Sequence, residues 1–197
     1  MDIYNRAKIG NLFVYLCDNI DNLYLTKLMK LIYIIDETSV KETGSPVTWF
    51  DYKVWRMGPV PKDIYTNISY KNGDFFSDFI DVDKIELTNG NKITSNNTFD
   101  DSEFSDYEIE LMDRVIDEYG KYTSEELIQL LHESDSLWHQ VVIENNLKKD
   151  FENQKKNTTD FNIDIEKAIT DNFLKEMYLE MRDNILFAKK VRSENHA

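Results

Sequence analysis

Apolar residues recur at helical spacing over most of the chain. Ile3, Ala7, Leu12/Phe13, Leu16 and Ile20 fall three to five residues apart, which predicts an amphipathic helix over 2–20 despite Gly10. Asp21 and Asn22 are candidate caps for a second helix over about 24–42, whose stripe is Leu25, Leu28, Leu31/Ile32 and Ile35. Gly44-Ser45-Pro46 ends it. From Val47 to Met57 the β-formers Val47, Thr48, Trp49, Phe50, Tyr52, Val54 and Trp55 predict a strand or extended arm. Gly58-Pro59 reads as a sharp corner, and Pro61 suits the first turn of a helix over about 61–71, which Asn72-Gly73 stops. Lys84–Thr88 and Asn91–Thr94 flank Asn89-Gly90, a strong short-range hairpin signal. Ser105 with Glu108, and Thr123 with Glu126, are capping boxes opening two further helices, the first closed by Gly120. Ile165, Ile169, Phe173, Met177, Met181 and Ile185 recur every four residues and predict a C-terminal helix of around 25 residues, or two shorter ones. The fold class expected is mainly α (α+β): a helical domain over 1–147 with a small β-hairpin or short sheet, a polar connector over 148–160, and a helical extension over 161–197 packed on the same domain.

Charge sharpens this picture. The formal total is 23 − 37 = −14, and fourteen of the acidic side chains lie in 74–118 beside three basic ones. Such a segment repels phosphate backbones, so direct nucleic-acid binding is not expected. It reads as a solvated face or as a docking surface for a basic partner. No apolar run approaches the roughly 18–20 residues that span a bilayer, and the start Met1-Asp2-Ile3-Tyr4 is not a cleavable signal. A single cysteine, Cys17, excludes an internal disulfide framework and reads as a buried thiol. A cytoplasmic protein without membrane segments is expected.

Candidate chemistry is sparse. The histidines are His132, His139 and His196; the first two are seven apart and match neither a zincin pair nor a zinc-finger pattern, although Glu133 and Asp135 stand close by. No Walker loop, dinucleotide-binding glycine pattern or nucleophile elbow is present. The expectation is therefore no catalytic residue, no metal and no cofactor. An unrecognised hydrolase built on His132, His139 and the acidic loops stays open as an alternative.

Three stretches carry a family resemblance. Trp55-Arg56-Met57-Gly58-Pro59-Val60-Pro61, followed by Ile64-Tyr65, is similar to the W-x-(aromatic)-G-P-V…(I/V)-Y signature of the Panacea domain, the SocA-like antitoxin family. Lys27-Leu28-Met29-Lys30-Leu31-Ile32-Tyr33 resembles that family's K-L-x-K-L-(L/I)-Y helix, with Tyr24 near where the family has threonine. Leu130-Leu131-His132 through Trp138 resembles its L-x-x-x-(T/L)-H-x-x-x-P-W segment, with Leu137 in place of the proline. The resemblance covers about residues 5–145. It implies a non-enzymatic antitoxin that binds a protein toxin encoded nearby, with delivery of the toxin to a Clp-type protease as one mode of action. A phage- or defence-associated regulator using the same domain is the alternative. Candidate partner-binding residues are Lys27, Lys30, Tyr33, Trp49, Arg56, Tyr65 and Phe76, the four aromatics among them expected to be exposed. Trp55, Gly58, Pro59, Val60, His132 and Trp138 belong to the family motif and are read as mainly structural.

Overall fold

The computed structural model describes residues 6–71, 74–85 and 90–194. Within them the chain is mainly helical, with two small antiparallel sheets of two strands each. Helix α1 (Arg6–Asn19) is followed by α2 (Leu25–Thr43), the spine of the molecule. The strand pairs are β1 (Tyr52–Trp55) with β2 (Gly58–Pro61), and β3 (Ile80–Ile85) with β4 (Gly90–Ser95). The remaining helices are α3 (Lys62–Lys71), α4 (Asp106–Tyr119), α5 (Ser124–Leu131), α6 (Leu137–Glu144), α7 (Lys148–Glu152) and α8 (Asn172–Glu194). None of the described helices is long and apolar enough to cross a membrane.

Helix α2 is not the amphipathic surface helix that its stripe suggests. It packs against α3, α4, α5, β2, β4 and a 3₁₀ turn at Ile165–Ala168, so side chains on every face are buried, Lys27, Lys30, Tyr33 and Asp36 among them. Its entry also differs from expectation. Tyr24, with no side-chain cap, holds the N-cap position, while Asn22 takes a positive φ of 51°. The reason is tertiary: the segment is tied to β4, where the Ile93 amide donates to the Leu23 carbonyl (2.8 Å) and Tyr24 bridges to Lys92. At the far end Gly44 (φ 74°) closes the helix as read. A Cβ there would lie 2.6 Å from the Leu174 carbonyl oxygen, so glycine also lets α8 approach.

The corner sits two residues earlier than the sequence suggests. Trp55 pairs with Gly58, leaving Arg56-Met57 as the turn and Gly58–Pro61 as a strand. Pro59 is tolerated in β2 because it lacks an N–H to donate and its carbonyl accepts from Lys30 rather than from β1. The other edge of β1 is covered by 157–163. There the Val54 amide donates to the Phe161 carbonyl, the Ile163 amide to the Tyr52 carbonyl and the Arg56 amide to the Asn157 carbonyl, each at 2.9 Å.

In the second hairpin Ile85 stands opposite Gly90, so Gly90 belongs to the strand rather than to a two-residue turn; Asn89 lies outside the described residues. Both capping boxes form as read, on α4 and α5. The C-terminal periodicity divides. Ile165 and Ile169 are buried in and just after the 3₁₀ turn, and α8 begins only at Asn172. Along α8, Tyr178 is buried, whereas Phe173 (68% exposed) and Phe187 (70% exposed) face solvent.

Candidate functional site

The three motifs, far apart in sequence, meet at one place. Helix α2 carries Lys30 into the interior, where its ammonium donates to the Pro59 carbonyl (2.8 Å). Gly58, at φ 99°, lies against that amine: a Cβ would stand 3.1 Å from Lys30 Nζ and 3.7 Å from His132 Nε2. The third motif supplies His132 at the end of α5 and Trp138 in α6. Their rings stack at 3.6 Å between centroids and 5° between planes. The Trp138 indole N–H donates to the Trp55 carbonyl (2.8 Å), locking α6 to the β1–β2 turn. Trp55 packs edge-on against Tyr65 of α3 (4.8 Å). The local turn before α6 forms without the proline, because Ser136 caps the helix by accepting from the His139 amide (3.1 Å).

Electrostatics at this junction follow from burial. Lys30 is fully enclosed and its amine is pushed down to about 7. Burial, then Lys30 and His139, push the His132 imidazole down to about 4, so the ring is neutral at pH 7. Its Nε2 is buried without a hydrogen-bond partner among the described residues. Nearby in α2, Asp36 accepts from the Thr48 amide (2.9 Å), the Thr48 hydroxyl and the Tyr52 hydroxyl (2.7 Å). Burial still outweighs those bonds and raises its carboxyl to about 6.

The remaining candidates are scattered. Lys27 is buried with its ammonium on the Gly120 carbonyl (2.7 Å), where burial lowers its pKa. Tyr33 and Phe76, expected to be exposed, are both buried. Tyr33 packs edge-on to Tyr52 (5.0 Å), and Phe76 against Phe13 (4.9 Å). Burial, then Glu37 and Asp36, hold the Tyr33 phenol well above its usual range. Trp49 and Tyr65 are half-buried; Trp49, at φ 58°, stacks on Tyr178 of α8 (5.2 Å). Val60 is buried in β2. Cys17 is half-buried, and burial followed by Asp18 raises its thiol to about 12, so it is no nucleophile.

Above the junction, Arg56 from the β1–β2 turn and Trp138, His139, Phe151 and Lys148 from α6 and α7 line a cavity of about 400 Å³. Arg56 Nε donates to Asn157 Oδ1 (2.7 Å). Lys148, Phe151 and Asn157 were missed by the sequence reading. The one signal was Phe151, an isolated large apolar residue in a polar run.

A family model described as antitoxin SocA-like, Panacea domain, matches residues 28–139, more than half of the chain. The chain belongs to this family. No curated protein and no solved structure matches it. The matched span of the Panacea domain contains Lys30, the β1–β2 hairpin, His132 and Trp138, which are the residues brought together at the junction. Lys148, Phe151 and Asn157 fall beyond it, as do the 157–163 strip and α8.

Proposed function

We propose that this protein is the antitoxin of a toxin–antitoxin pair and neutralises its toxin by direct, stoichiometric, non-covalent binding in the cytoplasm, without turnover. The observation that carries this reading is the Panacea-domain match over 28–139. Binding alone also suffices for delivery of the toxin to a Clp-type protease, which is a second outcome of the same contact. Lys30, with Gly58 and Pro59, acts from beneath, holding the β1–β2 turn in place; Arg56 and Tyr65, half-buried beside the exposed Met57, have access to a partner. Trp49 is a further contact candidate, half-exposed beside α8. The acidic 74–118 segment steers a basic toxin toward the complex.

The test is co-expression with a candidate toxin, a small reading frame encoded nearby that is toxic when expressed alone. Growth should be rescued, and the two proteins should co-purify. Rescue with no detectable complex, or loss of toxin activity at a small fraction of the toxin's concentration without any protease, overturns the binding mechanism.

A further inference from the structure

We propose that the cavity between the β1–β2 turn and α6–α7 is a recognition pocket for a single peptide carboxylate attached to an apolar or aromatic body. Two independent features of its lining point there. One wall is apolar and rigid: Trp138 is fixed by its bond to Trp55, backed by the His132 ring on one side, and lies nearly parallel to Phe151 (6.0 Å, 18°). The other features are cationic. Arg56 has its Nε occupied by Asn157, which anchors the side chain and leaves the two terminal nitrogens with no bond to a described residue. That end of a guanidinium presents two parallel N–H groups, the geometry that fits a carboxylate. Lys148, exposed on α7, adds a second cation with no ion pair among the described residues.

Charge selects among anions. The whole chain carries −14, a field that repels multiply charged phosphates. Glu152 stands in the same lining one helical turn after Lys148, so a second negative charge on the ligand would be opposed. A lone carboxylate backed by apolar surface meets both constraints. The cavity's volume of about 400 Å³ suits one or two side chains of a peptide. The carboxylate comes either from a chain terminus or from an acidic residue beside an aromatic one. This proposal rests on the reading of the protein as a binder of a protein partner, and names what the partner presents.

Short peptides test it without the toxin, so the pocket and the antitoxin reading can fail separately. The 15N-labelled full chain is titrated with N-acetyl-phenylalanine and its amide, and with acetyl-Asp-Phe-amide and its Asn counterpart, following the Trp138 indole N–H resonance. At least one acid should give a saturable shift and bind about tenfold tighter than its neutral partner, a factor expected of a charge-assisted bond. Whichever acid does so identifies the source, terminus or side chain. Arg56→Gln and Lys148→Gln, each with an unchanged melting temperature, should each weaken that binding several-fold. Equal binding of acids and neutral partners, no saturable shift with any of the four, or full affinity in both variants overturns the proposal.

Discussion

At the scale of single residues, Lys30 and Gly58 set the cost and the precision of the motif junction. A fully enclosed ammonium with the Pro59 carbonyl as its bonded partner is an expensive group to retain. Its folded pKa of about 7 lies below the unfolded value, so between about pH 7 and 10 the unfolded chain binds the extra proton. Stability contributed at this site therefore rises with pH through that window. Lys30→Met removes the titration, so the stability difference, wild type minus variant, should climb from pH 7 to pH 10 in urea denaturation. Parallel curves would show that the amine is not buried in the folded state. Gly58 is constrained twice, by a φ of 99° and by the amine 3.1 Å from where a Cβ would sit. Gly58→Ala should cost about 1–3 kcal/mol by the same measurement, chiefly from the backbone conformation. An unchanged midpoint would mean that the turn relaxes freely around a side chain.

At the scale of elements, α8 is the part held most locally. Its docking rests on the Trp49–Tyr178 stack, on the fit of Leu174 against Gly44, and on the Arg182–Glu166 ion pair (2.7 Å). An aromatic pair adds about 0.5–1.5 kcal/mol beyond its buried area, so Tyr178→Ala should raise local opening of α8 about tenfold. Limited proteolysis should then cut within 172–194 faster, while the remainder melts as one unit. Cleavage at the wild-type rate would show that the stack does not hold the helix. Elements whose signals are local were legible in the sequence. The boxes Ser105/Glu108 and Thr123/Glu126 and the glycine stop at Gly44 each depend on atoms within one helical turn. What sequence reading missed depends on distant partners. Gly58-Pro59 reads as a corner and Pro61 as the start of a helix because nothing local shows that 58–61 pairs with β1, or that the Pro59 carbonyl accepts from Lys30. Polar side chains over 157–163 conceal a backbone that completes the edge of β1. Lys30, Tyr33 and Phe76 read as surface candidates because their enclosure, by the elements packed around α2 and by Phe13, exists only in three dimensions. The site was legible as three motifs, but its cavity was not, since Lys148 and Phe151 enter it from outside the motifs.

At the scale of the whole molecule, the charge distribution bears on encounter. Among the described residues, the carboxylates of 74–118 divide between paired and unpaired. Asp78 meets Arg6 and Glu108 meets Lys8, while Asp83, Glu110 and Asp117 are exposed and have no ion pair among the described residues. Replacing those three with Lys should slow association with a basic toxin by about tenfold at low ionic strength, and flatten its salt dependence, if the face steers. An unaltered association rate would move the encounter surface elsewhere, with the β1–β2 corner as the next candidate. The central claim is stoichiometric neutralisation. Its most direct test is a titration of purified toxin with this protein, following toxin activity and heat of binding in the same mixtures. The account predicts that activity falls linearly to zero at a fixed small-integer ratio coinciding with the calorimetric end point. Abolition of activity far below equivalence, or an inactive toxin with no heat and no complex, would contradict it.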